Sequence, residues 1–212
     1  MTNNCQRCGV SSSSTTTCES SGPLTRTSPG QWLPHVCIAA DDPRRDDVRA
    51  LLEQHLLFAR GASPAEHVHA LDLDGLLDPR ISFFSARRDG ALLAVGALKQ
   101  LDSSHAEVKS MHTTAIASGQ GVGRAMLLHL LRTAADRGNT RVSLETGTMD
   151  AFVASRSLYA SAGFVACPPF GDYTVNPYSV TMTLVLAPVR TGAPSRSGAS
   201  RVRAAGARAA ER

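Results

Sequence analysis

Residues 118–126 read SGQGVGRAM, and an apolar run, LLHLL (127–131), follows at once. Three glycines spaced two apart at the head of an expected helix are expensive, because glycine loses the most backbone freedom on folding. Bare backbone there suits the close approach of a dinucleotide, a nucleoside triphosphate or an acyl-CoA, or else a tight turn with no ligand. Register narrows the choice. A dinucleotide fingerprint needs G-x-G-x-x-G/A near the start of a βαβ unit; counted from Gly119 its last position is Arg124, and from Gly121 it is Met126. A nucleotide-triphosphate loop needs G-x-x-x-x-G-K-[ST], and no lysine follows these glycines. What remains is a row of backbone N–H groups at a helix N-terminus, an anion site that needs no side chain, or a plain turn.

Working outward, HVCIAA (35–40) reads as a strand. DDPRRDDVRALLEQHLLFA (41–59) reads as a helix, with Asp at its cap, Pro43 near its start, early acids, and Val48, Leu51, Leu52 and Leu56 at helical spacing. SPAEHVHALDLDGLLDP (63–79) suits a short helix and loop. In ISFFSARRDGALLAVGALKQL (81–101) two apolar runs flank Asp89-Gly90, a strong hairpin signal. HAEVKSMHTT (105–114) follows as a third antiparallel strand. The glycine stretch then opens a helix that runs to about Arg137, with Gly138 as its cap. TRVSLETG (140–147) is a strand and DAFVASRSLYASAG (150–163) a helix closed by Gly163. FVAC and YSVTMTLVL (178–186) supply the last strands. The expected class is α/β (α+β): a mixed, mostly antiparallel sheet flanked by helices, in the order β-α-(α)-β-β-β-α-β-α-β-β.

The 212 residues carry a formal charge of +4, unevenly placed. Residues 35–187 hold fourteen Lys/Arg against sixteen Asp/Glu, and the two ends hold eight against two. The expected domain is therefore slightly acidic and offers no electrostatic footprint for nucleic acid. Residues 1–34, rich in Ser and Thr, read as a disordered leader, 35–187 as the domain, and 188–212 as a disordered basic Ala/Arg/Gly tail. No run approaches the apolar length of a membrane span, and the first residues lack the apolar core of a secretory signal, so a soluble cytoplasmic protein is expected. Five scattered cysteines make no disulfide framework. The lone CQRC at 5–8 lacks nearby partners for a zinc site, and no metal is expected.

The stretch 118–126, together with LYASAGF at 158–164, resembles the GNAT N-acetyltransferase superfamily, in its small bacterial form. That family carries [QR]-x-x-G-x-[GA] between a strand and a helix and LYxxxGF after the next strand. The resemblance covers most of residues 35–187, element order included. The preferred register is Ser118-x-x-Gly121-x-Gly123, because GVGRAM then aligns with the family's helix entry; Gln120-x-x-Gly123-x-Ala125 also fits the pattern literally. Ser118 stands where Arg or Gln is usual, and Phe152 stands near the place of a frequent asparagine.

The resemblance implies acetyl-CoA as co-substrate and an amine acceptor, small molecule or peptide, with neither nucleic acid nor membrane as partner and a homodimer admissible. Its pyrophosphate would be taken by Ser118, Gly119, Gln120, Gly121, Val122, Gly123 and Arg124, with a grip that is mostly backbone. Main-chain groups of Met111, His112 and Thr113 would pair with the pantetheine arm. Tyr159 would give the departing thiolate its proton. A base is also required, since a free lysine-like amine with a pKa of about 10.4 is mostly charged at neutral pH. Glu107 is the first choice, Glu145 the second, and His112 has a suitable pKa range. Two histidines in HVH (67–69) share a face if extended and read as structural. Asp172 and Tyr173 are plausible amine contacts. The reading from a different class is an acyl-CoA-binding module without catalysis.

Overall fold

The computed structural model describes residues 36–62 and 73–187. The CQRC and HVH stretches and both expected tails lie outside the described residues. Within them the elements run β1 (Cys37–Ala40), α1 (Asp46–Ala62), α2 (Leu73–Leu76), β2 (Ile81–Arg88), β3 (Ala91–Gln100), β4 (His105–Thr113), α3 (Val122–Asp136), β5 (Arg141–Gly147), α4 (Val153–Ser161), β6 (Val165–Ala166) and β7 (Ser179–Val185). One-turn 3₁₀ segments at Ala115–Ala117 and Asp150–Phe152 precede the glycine loop and α4. The expected class and order are the observed ones. The Asp89-Gly90 turn has both residues at positive φ, 49° and 84°, as a two-residue hairpin of this twist requires.

The strands form one seven-stranded sheet in the order β1-β2-β3-β4-β5-β7-β6. Neighbours are antiparallel except β4 and β5, which are parallel. That parallel pair is short. It runs from His105↔Arg141 to Val108↔Leu144, while β4 continues to Thr113 and β5 to Gly147. Beyond Val108 and Leu144 the two strands part. A second irregularity sits just past that point: Ala97 pairs with Lys109 and Val95 with His112, so Gly96 alone faces Ser110 and Met111. This is a β-bulge, and Ser110 within it takes a φ of +50°.

Each face of the sheet is covered. Val122, Met126, Leu127, Leu130, Leu131 and Ala134 make one stripe of α3 and pack with Phe84, Leu98, Val108, Val142, Leu144, Tyr159 and Phe164. Burying side chains of this size is worth about 1.5–3 kcal/mol each, which fixes α3 to that face. Val48, Leu51 and Leu52 of α1 and Leu76 of α2 pack with Phe83, Val95 and Ala97 on the other. On β4, Val108 and Met111 belong to the α3 side, whereas His112 stacks on His55 of α1.

Candidate active site

The glycine loop lies at the mouth of the β4–β5 split. Its three glycines are there for two different reasons. Gly119 and Gly121 adopt φ of +73° and +81°, and Gly121 caps α3 without any side-chain hydrogen bond. Gly123 is helical. A Cβ on it would sit 3.2 Å from Thr113 Oγ1 and 3.7 Å from Leu158 Cδ2, so its bareness seats the first turn of α3 between the end of β4 and α4. The N–H groups of Val122, Gly123 and Arg124 head the helix, where no intrahelical acceptor exists for them. In the loop, Gln120 donates to the Ile116 carbonyl at 2.5 Å and Arg124 to Ser161 Oγ at 3.1 Å. The main-chain N–H groups at this helix head and the helix dipole are the kind of donors an anion uses.

On the α1 side of the sheet, polar groups gather where the strands part. Glu107 pairs in register with Ser143, and Lys109 is two residues on along β4. Glu107 is 2% exposed. Its Oε1 accepts a hydrogen bond from Tyr173 Oη and lies 3.5 Å from Lys109 Nζ, which itself donates to Tyr173 Oη at 2.6 Å. Tyr173 comes from the strap 167–178, held by Cys167 N donating to Thr181 O at 3.0 Å and by Phe170 stacked between His105 and Tyr173. Burial, then the Glu107 charge, raises the Tyr173 phenol pKa well above its usual range. Across the split, burial raises the Glu145 carboxyl, the Ser179 hydroxyl pulling the other way. Glu145 is also close enough to add to the rise of Tyr159, whose phenol burial pushes up to about 12.

Tyr159 is 8% exposed on α4 and packs edge-on against Phe164. Its hydroxyl makes no hydrogen bond among the described residues, and at neutral pH it is fully protonated. His112 faces His55, ring centroids 5.1 Å apart, and Phe58, which in turn meets Phe152 at 5.1 Å. Burial lowers His112, and burial with the His112 and Lys109 charges lowers His55 to about 4. Phe152 lies over the end of β5, where a Cβ on Gly147 would sit 2.3 Å from its ring. Arg156 holds that end in place by donating to the Gly147 carbonyl at 2.7 Å and the Met149 carbonyl at 3.0 Å.

The sequence-derived candidates are thus brought together around one split: residues 118–124 at its mouth, Met111, His112 and Thr113 along β4, Glu107 and Glu145 at its origin, and Tyr159 on the α3 side. Tyr173 joins Glu107, while Asp172 is sensed by Tyr173 only as a charge. Two residues beside these candidates escaped the sequence reading. Lys109 had a signal, since a second charge at i+2 from Glu107 on an inner strand demands a partner. His55 had none.

The profile of the Acetyltransferase (GNAT) family matches residues 47–164, more than half of the chain. The chain belongs to the GNAT acetyltransferase family. Over 146 residues this GNAT protein is 44% identical to the uncharacterized N-acetyltransferase YsnE of Bacillus subtilis (strain 168), covering 69% of this chain and 97% of that protein. Over 149 residues it is 41% identical to the uncharacterized N-acetyltransferase YedL of Escherichia coli (strain K12), covering 70% and 94%. A solved Bacillus subtilis acetyltransferase in complex with CoA superposes with a TM-score of 0.55 at 20% identity, covering 72% of this chain and all of that one. The fold is shared, and this GNAT chain is an acetyltransferase.

Proposed function

We propose that the protein transfers the acetyl group of acetyl-CoA to a primary amine by direct attack on the thioester. The observation that supports this most is the meeting of a helix head with no side-chain cap, Val122–Arg124, with the parting of β4 and β5. A phosphate site and an open strand edge then lie at one place. The N–H groups of residues 118–124 would hold the pyrophosphate, and the free edge of β4 at Met111, His112 and Thr113 would hold the pantetheine arm. Arg124, whose guanidinium donates once to Ser161 Oγ, would add its charge at the rim of the phosphates.

Acetyl-CoA, when bound, supplies an activated acyl carbon and a thiolate leaving group. The neutral amine nitrogen attacks that carbon; the C–N bond forms and the C–S bond breaks. Glu107 accepts the proton the amine loses, directly or through a water, and Tyr159 gives a proton to the sulfur. Burial keeps Tyr159 protonated across the working pH range, so its hydroxyl is present as a donor to the sulfur. Glu107 has one oxygen shared by Tyr173 and Lys109, which fixes its carboxylate in place. The acceptor is a small molecule or peptide carrying an amine.

The test is thermal melting with acetyl-CoA, followed by thiol release across a panel of amines. The expected result is a rise in Tm with acetyl-CoA and release of free CoA with at least one amine. Tyr159→Phe and Glu107→Gln should each lower kcat by about 10²–10⁴-fold while the Tm shift persists. Absence of any shift at millimolar acyl-CoA refutes the proposal. Binding without turnover across a broad amine panel would establish the non-catalytic acyl-CoA module instead.

A further inference from the structure

The pairing of β4 with β5 ends at Val108 and Leu144, and farther along the two strands are bridged by aromatic rings. Phe58 of α1 lies 6.3 Å, centroid to centroid, from His112 of β4 and 5.1 Å from Phe152, which sits on Gly147, the last residue of β5. A ring with a neighbour on each strand's side lies over the gap between them. His55, 5.1 Å from His112, carries the row back onto α1. Phe152 is seated from beneath: a Cβ on Gly147 would meet its ring at 2.3 Å, and Arg156 pins that strand end by donating to the Gly147 and Met149 carbonyls. Rings that only sealed the gap would be buried. Phe58 is instead 40% exposed, and Met149 and Val153, on either side of Phe152 in sequence, are 43% and 49% exposed. Aromatic surface fixed in position and left partly open is what a flat apolar group packs against.

The origin of the split is charged. Two carboxylates, Glu107 and Glu145, stand against one ammonium, Lys109, and all three are near enough to act on one another. With both carboxylates ionised one negative charge is left over, and Lys109 is already engaged by Glu107 and by Tyr173 Oη at 2.6 Å. The complement of that end is a cation, and the complement of the other is an aromatic ring. The edge of β4 at Met111, His112 and Thr113, where the thioester arm would lie, runs between them. We propose that the acceptor is an arylalkylamine, with its amine toward Glu107 and Glu145 and its ring selected by Phe58 and Phe152. An aliphatic amine, the side chain of a protein lysine included, fits the charges but forgoes the ring-to-ring contact. This rests on the acetyl-transfer reading above and names the substrate class of the same site.

The test is thiol release from acetyl-CoA by the full chain with phenethylamine and with butylamine, whose chain has the reach of a lysine side chain. Wild type should prefer phenethylamine by about tenfold or more in kcat/KM. Phe58→Ala and Phe152→Ala should each raise KM for phenethylamine about tenfold, with kcat and the butylamine constants changed by less than about threefold and CoA affinity by less than about twofold. Phe58→Leu keeps an apolar side chain on α1 and should lose most of the preference as well, which separates loss of the ring from loss of the fold. A wild type that treats the two amines alike or favours butylamine, or a preference that survives all three variants, overturns this inference and leaves acetyl transfer standing. CoA binding weakened in Phe152→Ala as much as the amine sets that ring against the pantetheine arm and overturns the inference too. Turnover of other amines but not of phenethylamine has the same consequence. No turnover with any amine takes the acetyl-transfer reading down with it.

Discussion

Alanine substitution at two glycines two residues apart should give opposite results, because the two are bare for different reasons. At Gly121 the backbone has φ of +81°, a left-handed conformation that an L side chain adopts only under strain, so the penalty is conformational. An L-residue in the left-handed region costs roughly 1–2 kcal/mol, and the reduced entropy of the unfolded chain returns about 0.4–1 of it. The net loss is about 1 kcal/mol, or about 2–4 °C in Tm for a domain of this size. At Gly123 the backbone is helical, and alanine gains roughly 0.8–1 kcal/mol of helix propensity. Against that gain stands one tight approach, 3.2 Å to Thr113 Oγ1, which a small rotation of the threonine relieves. Gly123→Ala should therefore stay within about 0.5 kcal/mol of wild type or exceed it. Differential scanning fluorimetry measures both, and titration with CoA shows whether re-seating the first turn of α3 alters phosphate binding. Should Gly121→Ala melt at or above the wild-type temperature while Gly123→Ala falls by several degrees, the division of roles between these glycines is wrong.

His55 has its pKa depressed to about 4, so between that pH and about 6.5 the unfolded chain binds the extra proton. Its contribution is complete above pH 6.5 and lost as pH falls toward 4, about 3 kcal/mol in all; urea titrations at several pH values should show His55→Leu flattening the acid slope by that amount, and parallel curves would refute it. Tyr173→Phe removes the hydroxyl shared by Glu107 and Lys109 and should lower kcat/KM tenfold or more in the thiol-release assay, since a hydrogen bond to a charged group is worth about 1.5–3 kcal/mol. Arg87→Met strips the clasp to Asp41 at 2.9 Å and Asp47 at 2.6 Å, which ties β2 to the end of β1 and the start of α1; a loss of about 2 kcal/mol, 4–8 °C in Tm, is expected, and an unchanged Tm would show the clasp to be surface decoration. Gly147→Ala drives a methyl to 2.3 Å from the Phe152 ring and should cost about 1–3 kcal/mol, most of which Gly147→Ala combined with Phe152→Ala should recover; additive losses would show that the ring is not the obstacle.

How far the sequence could be read follows from the range of each interaction. The Asp89-Gly90 turn, the Gly138 and Gly163 helix ends and the apolar stripe of α3 are set by residues within a turn or two of one another, and each was visible. The α4 boundary was less so: the expected helix from Asp150 begins as a 3₁₀ turn and becomes α-helical at Val153. Local rules also produced a correct motif with an incomplete reason. Gly123 reads as one of three equal glycines in SGQGVGRAM, but its neighbour is Thr113, ten residues back on β4, and only folding brings that hydroxyl beneath it.

The polar machinery depends on contacts of long range. Tyr173 meets Glu107 across 66 residues through a strap with no helical or strand period, so no pattern in the chain announces the pair. Glu107 and Lys109 are different: two charges on one face of an inner strand cannot both be buried unless something neutralises and hydrogen-bonds them, which is enough to require a partner but not to name it. Ser110 shows the limit most plainly. Nothing in EVKSMHTT distinguishes it from a serine on an exposed edge, because its left-handed backbone is imposed by a register shift that Gly96 on the neighbouring strand permits. A bulge belongs to two strands at once, and a residue forced out of its own preference by a neighbour carries no mark of that in its own sequence. Strain of this origin is visible only in the folded chain, and in this protein it lies where the sheet opens.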